Sequence, residues 1–264
     1  MTQADLQLGN LSDPALAAAR LAAPTPAGHF DELRDAQGAL RPVWQEFFEH
    51  VGAGAFADFD RRAALLARQV RDDGITYNVY SDQHGRTSRW SLDLLPFIVS
   101  REDWAQIEEG IVQRASLISE ILRDVYGEQY LLKQGLLPPA LVFGNPGYLR
   151  PLHGTVPVGG TFLHMVAFDL ARGPDGRWWV VGQRTQAPSG LGYALENRIL
   201  VSRLFGDSFR AMRVQRLASS FRRLLGTLTR LAPREDDEPP RVVLLTPGPY
   251  NETYFEHAYL ARYL

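Results

Sequence analysis

The sequence predicts an α+β fold: helices around a mainly antiparallel sheet, followed by the first βα unit of an incomplete α/β layer. Three observations carry this. Apolar residues recur at helical spacing through SREDWAQIEEGIVQRASLISEILRDVYG. TFLHMVAFDLAR and RWWVVGQ read as two strands joined by the turn GPDG. RVVLLTPGP then reads as a buried strand and a turn before the helical run NETYFEHAYLARYL.

Taken in order, residues 1–28 are rich in Ala, Pro and small polar side chains and read as a flexible N-terminal arm. Residues 29–232 are expected to form one lobe. RPVWQEFFEHV and FADFDRRAALLARQVRDDG both show helical spacing. In the second, Phe56, Phe59, Ala63, Leu66 and Val70 share a face, with Asp58 at its start and Gly74 at its stop. ITYNVYSDQHGRTSRWSLDLLPFIV alternates through Ile75, Tyr77 and Val79, turns at His84-Gly85, and alternates again through Trp90, Leu92 and Leu94, which predicts a hairpin. In the clearest helix Ser100 is the N-cap and Asp103 stands three residues on. Ile107, Ile111, Leu117, Ile118, Ile121, Leu122 and Val125 supply its apolar face, and Gly110 leaves open a division into two helices. LVFGNPGYLRP is expected to hold a short strand. ENRILVSRLFGDSFRAM and RVQRLASSFRRLLGTLTRLA predict helices. Residues 233–240 are a charged, Pro-bearing linker, and 241–264 begin a truncated α/β domain. One strand and one helix cannot bury both faces of such a layer, so a missing C-terminal half or a partner chain is expected to complete it.

Composition excludes several classes. There is no cysteine, hence no disulfide, thiolate metal site or cysteine nucleophile. The net charge is 28 − 30 = −2, so no global basic field draws the chain to nucleic acid. Apolar runs fall far short of a membrane span, and MTQADLQLGN has no basic cluster of the secretory kind, so a cytoplasmic protein is expected. Lys133 is the single lysine beside 27 arginines, so cationic chemistry falls to arginine unless Lys133 serves. GxxxxGK[ST], GxGxxG and GxSxG are all absent, and the six histidines include no i,i+4 pair; His164 reads as a packed strand residue.

The chemistry-bearing stretch is QRTQAPSGLGYALENR, just past the apolar run WWVV. Upstream, Asp169 stands seven residues before Gly176 of the turn, and Gln183-Arg184-Thr185 lies three residues before Pro188. This pattern resembles the metal-binding hairpin of ATP-grasp ligases. There an acid on one strand and a Glu-x-Asn on the next converge on one face to hold Mg²⁺ between phosphates. Gln183 and Thr185 take the Glu and Asn places, and the register needs one extra residue in the second strand. RDDGITYNVY, WSLDLLPFIV, EEGIVQRA, LRDVYG, LLPPALVFGNPGYLRP, DLARGPDGRWWVVGQRTQAPSGLGYALENR and VVLLTPGPYNETYFEHAYLAR extend the resemblance over most of the chain. Together they are similar to the bacterial circularly permuted ATP-grasp family, whose relatives include glutathionylspermidine-synthase-like ligases.

The resemblance implies the N-terminal portion of an ATP-dependent carboxylate–amine ligase acting through an acylphosphate. ATP and Mg²⁺ would be its cofactors, and a small-molecule or peptide carboxylate and an amine its partners, with no nucleic acid and no membrane. Residues 1–264 alone are expected to be inactive. Asp169 is the metal carboxylate, with Glu196 and Asn197 in place of the weak Gln183 and Thr185. Arg184 and Arg198 are the expected phosphate- or carboxylate-gripping cations; Arg198 could instead pair with an acid. Gln113, Arg114, Gln186, Ser189, Gly190 and Tyr193 are the expected ATP- or substrate-binding set. Gln113 and Arg114 interrupt an apolar face, as cleft residues or as helix-to-loop hydrogen bonders. Ser189, Gly190 and Gly192 would let backbone approach a ligand, or make a tight turn. The alternatives are a structural hairpin with a salt-bridged Asp169, and a non-catalytic pseudo-ligase or peptide- or carboxylate-binding module that has lost metal chemistry.

Overall fold

The computed structural model describes residues 25–52, 58–77, 90–233 and 238–264. The architecture is α+β, and the chain divides into two compact units: 1–98 with 189–264, and 99–188.

In the first unit, α1 (Pro42–Val51) starts with Pro in its first turn, where the missing N–H costs nothing. It buries Trp44, Phe47 and Phe48. Helix α2 (Phe59–Asp72) buries Leu66 and Val70. It ends as expected at Gly74, whose φ of 67° is the left-handed conformation that suits glycine. The Ile75 N–H closes onto the Val70 carbonyl at 3.1 Å, and Ile75 itself is buried. Arg62 of α2 donates to the Leu204 carbonyl at 2.7 Å, a cation at the carbonyl end of α6 (Leu191–Leu204). Leu200 of α6 is fully buried, and Phe205 packs edge-on against Phe47. Helix α7 (Gly206–Ala211) packs against α1, and α8 (Ala218–Leu231) buries Phe221. Helix α9 (Tyr254–Tyr263) lies against α6.

Two predicted elements of this unit are corrected. Of the predicted 75–99 hairpin, residues 78–89 (with Val79 and the His84-Gly85 turn), like Phe56 in 53–57, lie outside the described residues. Residues 90–98 form no strand, although Leu94 is buried in the core. RVVLL forms no strand and joins no ladder among the described residues: Val243 is 78% and Leu245 96% exposed. Alternating or continuous apolar residues signal a need for burial, but a strand also needs a neighbour to take its N–H and C=O groups.

In the second unit, α3 (Arg101–Tyr126) runs unbroken through Gly110. Ser100 caps it as expected, accepting from the Asp103 N–H at 3.0 Å. Its buried side is Ile107 and Val125, while Leu117 is exposed. The expected strand in 141–151 is replaced by the short helix α5 (Pro139–Phe143) and a 3₁₀ turn at Arg150–Leu152; α4 (Tyr130–Lys133) precedes them. Prolines at the start of α5 and of the turn fit those first positions and would interrupt a ladder. The sheet is one antiparallel pair, β1 (Ala167–Arg172) and β2 (Trp178–Arg184). GPDG closes it, with Gly176 at φ 80°. The Arg172 guanidinium grips Asp103 with two bonds of 3.0 Å, and the Trp178 indole N–H adds one of 3.3 Å, so the hairpin base is tied to the start of α3.

Candidate functional site

The hairpin carries Asp169. Its register pairs Asp169 with Gly182 but Leu170 with Val180, so Val181 has no partner. Strand β2 thus bears one extra residue, a β-bulge, which reverses the side-chain alternation beyond it. Arg184 therefore lies on the Asp169 face, and Gln183 falls opposite Phe168 on the other. Arg184 donates to the Asp169 carboxylate at 2.6 Å. Gly182 is what admits this carboxylate: a Cβ there would lie 2.8 Å from Asp169 Oδ2. The pair is open to solvent, its side chains 46% and 57% exposed. Trp179 and Val181, on the same strand, are exposed as well. The expectation that Gln183 and Asp169 converge on one face is corrected: the bulge turns Gln183 away and brings Arg184 in. Thr185 and Gln186 follow β2 as exposed residues.

Beyond β2 the chain passes Ala187, held at φ 38°, an uncommon conformation for a residue with a Cβ. Gly190, at φ 116°, precedes α6. The first turn of that helix needs acceptors for its N–H groups, and Glu256 of α9 provides them. Its carboxylate accepts the Gly190 N–H at 2.7 and 2.9 Å and the Gly192 N–H at 3.0 Å. Glu256 is only 2% exposed. Gly192 must lack a side chain, since a Cβ would sit 2.8 Å from Glu256 Cγ. PSGLG is thus a turn closed on a carboxylate 66 residues away. Ser189 stands exposed at its rim. Sequence reasoning missed Glu256; the available signal was the pair of glycines flanking Leu191, which permits something to approach the backbone closely.

The remaining candidates on α6 have internal partners. Tyr193 is buried, stacks on Trp90 with ring centroids 4.5 Å apart, and donates to the Thr76 carbonyl at 2.6 Å. Glu196 is buried; burial, and then its carboxylate beside the Tyr259 hydroxyl, hold that hydroxyl's pKa up. Asn197 Oδ1 accepts the Trp90 indole N–H at 3.0 Å. Arg198 is half-buried, donates to the Gln215 carbonyl at 2.7 Å and lies over the Phe209 ring; burial lowers its pKa. These contacts give all four side chains packing roles. In the second unit Gln113 and Arg114 point to solvent from α3, and Lys133 ends α4. His164, expected inside a strand, lies exposed ahead of β1.

Burial, and after it the charges of Glu256 and Tyr77, push the Tyr193 hydroxyl up to about 12. Burial and then the bond to Glu196 raise Tyr259. An unfolded chain ionises its tyrosines near pH 10. The folded state keeps the Tyr193 proton to higher pH, so stability is full below about pH 10 and falls as pH rises toward 12. Urea midpoints at about pH 8 and about pH 11 should show this loss. Tyr193→Phe should reduce the loss while costing about 1 kcal/mol at the lower pH for the bond to Thr76; an unchanged alkaline slope would exclude Tyr193 as its source.

Fit to a divalent cation rests on few groups. Among the described residues no set of three or more His, Asp or Glu side chains converges on a metal position. Asp169 fits as a single carboxylate ligand, since Mg²⁺ commonly uses one or two carboxylates with phosphates and waters. Glu196 and Asn197 belong to the other unit, where Asn197 Oδ1 accepts the Trp90 indole N–H. Among the described residues no helix is long and apolar enough to cross a membrane.

A family profile described as circularly permuted ATP-grasp type 2 matches residues 96–264. An uncharacterised protein of Mycobacterium tuberculosis is 37% identical over 247 residues, which is 90% of this chain and 28% of the relative. One from Synechocystis is 33% identical over 237 residues, 90% of this chain and 49% of the relative. One from Mycobacterium leprae is 34% identical over 233 residues, 88% and 41% respectively. The chain thus spans about a quarter to a half of the length of these curated relatives. The profile covers well over half of the residues, including the hairpin, the glycine turn and Glu256, and the chain belongs to the circularly permuted ATP-grasp type 2 family.

Proposed function

We propose that the chain is the N-terminal portion of an ATP-dependent carboxylate–amine ligase, of the glutathionylspermidine-synthase-like kind and working in the cytoplasm. The observation that supports this reading is the match to the circularly permuted ATP-grasp type 2 family over residues 96–264, with solvent-open Asp169 as the candidate cation ligand; its pairing with Arg184 equally suits a structural salt bridge. ATP with Mg²⁺ would supply the phosphoryl group that turns a carboxylate into an acylphosphate open to attack by an amine. Asp169 would hold the cation, and Arg184, leaving Asp169, would grip anionic oxygens with its planar fork. An exposed ion pair suits such an exchange because it contributes about 0–1 kcal/mol. The remaining site groups would come from polypeptide outside residues 1–264.

A second reading, a carboxylate-binding module without metal chemistry, is favoured by one observation: Gln183 is turned from Asp169 and leaves a lone carboxylate. Thermal unfolding of the intact protein separates the two. A ligand at 100 times its Kd adds about 2.7 kcal/mol. The ligase reading expects ATP at millimolar concentration to raise the Tm only when Mg²⁺ is present. A Tm indifferent to ATP and Mg²⁺ together would discard it, and a rise with carboxylates alone would support the second reading.

A further inference from the structure

Helix α8 carries three arginines and no acid. Some exposed arginines elsewhere sit against carboxylates, among them Arg61 on Asp58, Arg123 on Glu120, Arg177 on Asp175 and Arg210 on Asp207, while others, such as Arg114, do not. Among the described residues Arg222 and Arg223 have no such partner, and Arg230 reaches only the Thr227 hydroxyl, at 3.2 Å. The buried side of α8 is Phe221, which meets the Tyr263 ring edge-on at 5.4 Å. On the opposite side Ser219, Arg222, Arg223, Gly226, Thr227 and Arg230 line one hollow, and an adjoining one takes in Leu225 and Thr229. Arg222, Gly226 and Arg230 are common to both. A Cβ added at Gly226 meets nothing within 4 Å, so the ridge is notched there and open to solvent. Arg222 and Arg230 flank the notch one turn away on either side, about 12 Å apart along the axis.

We propose that this face docks an acidic peptide segment, with the peptide backbone at the Gly226 notch and its carboxylates on the three guanidinium groups. Guanidinium forks match carboxylates with paired bonds. A residue without a side chain lets a second helix approach closely across the ridge. Leu228, 38% exposed, and Leu225 border the stripe and offer the apolar contact that helix-on-helix docking uses. Nucleic acid fits less well: the stripe has no aromatic ring for a base to stack on. The proposal needs no nucleotide and stands apart from the ligase reading.

Fluorescence anisotropy with a fluorescein-labelled oligoglutamate of about ten residues, long enough to span Arg222 to Arg230, tests it on the full chain. Binding should weaken about tenfold or more between low salt and about 0.5 M salt, where charges are screened within a few ångströms. R222Q/R223Q/R230Q should lose it by about tenfold or more. Gly226→Leu, which fills the notch and keeps every charge, should weaken it too; circular dichroism checks that both variants fold. Absence of binding, or binding that the triple variant keeps, overturns the proposal. Tighter capture of an oligothymidylate of equal charge overturns the peptide assignment and makes the stripe a nucleic-acid contact.

Discussion

Replacing Glu256 with alanine is expected to destabilise the first unit by about 3–5 kcal/mol, read as a drop in the urea midpoint at constant slope. Two backbone donors, Gly190 N–H and Gly192 N–H, rely on this carboxylate at 2.7–3.0 Å. Each left unpaired under cover costs about 1–3 kcal/mol, and the vacated methylenes leave a small cavity. The negative charge also faces the positive end of a 14-residue helix. Glu256→Gln keeps one acceptor oxygen and loses the charge, so it should cost about 1–2 kcal/mol. The two variants should therefore differ clearly. A loss below about 1 kcal/mol for Glu256→Ala would mean that water replaces the carboxylate and that α9 is not fastened by it.

Substituting Asp169 should have the opposite profile. Asp169→Ala in the intact protein is expected to leave unfolding within about 1 kcal/mol of the parent, because its ion pair with Arg184 is half-exposed. Gly182 remains, so no steric change follows. Under the ligase reading ATP turnover should nevertheless fall by about 10²–10³-fold, since the carboxylate proposed to hold the cation is gone. Turnover that survives Asp169→Ala would remove Asp169 from the chemistry. A large loss of stability would make the pair structural, as in the salt-bridged-hairpin alternative.

Local chemistry made much of this fold legible. The Ser100 cap, the Gly74 stop and the GPDG turn each act within a few residues, and each lies where the sequence places it. The need for one extra residue in β2 could also be read, and Val181 is that residue. Its consequence could not be read, because whether a bulge turns Gln183 or Arg184 toward Asp169 depends on where along the strand it falls. Glu196, Asn197 and Tyr193 show a second limit. The helix that ENRILV predicts begins earlier, at Leu191, and takes in Tyr193, while the partners Tyr259, Trp90 and Thr76 are distant in sequence. Asp103 with Arg172 was hidden for the same reason, at a separation of 69 residues.

The contact from Gly190 to Glu256 also acts as a clasp that closes a 66-residue loop of chain. The entropy of closing a flexible loop grows only with the logarithm of its length, about 0.6 kcal/mol per doubling. Insertions in the segment between Leu231 and Asn251 are therefore expected to change the entropy of closing the clasp by less than about 1 kcal/mol, whereas buried Thr253 and the Asn251 that bonds it are fixed parts of the turn into α9. The spacing between the glycine turn and α9 is free to vary, while the carboxylate and the two glycines that receive it are not.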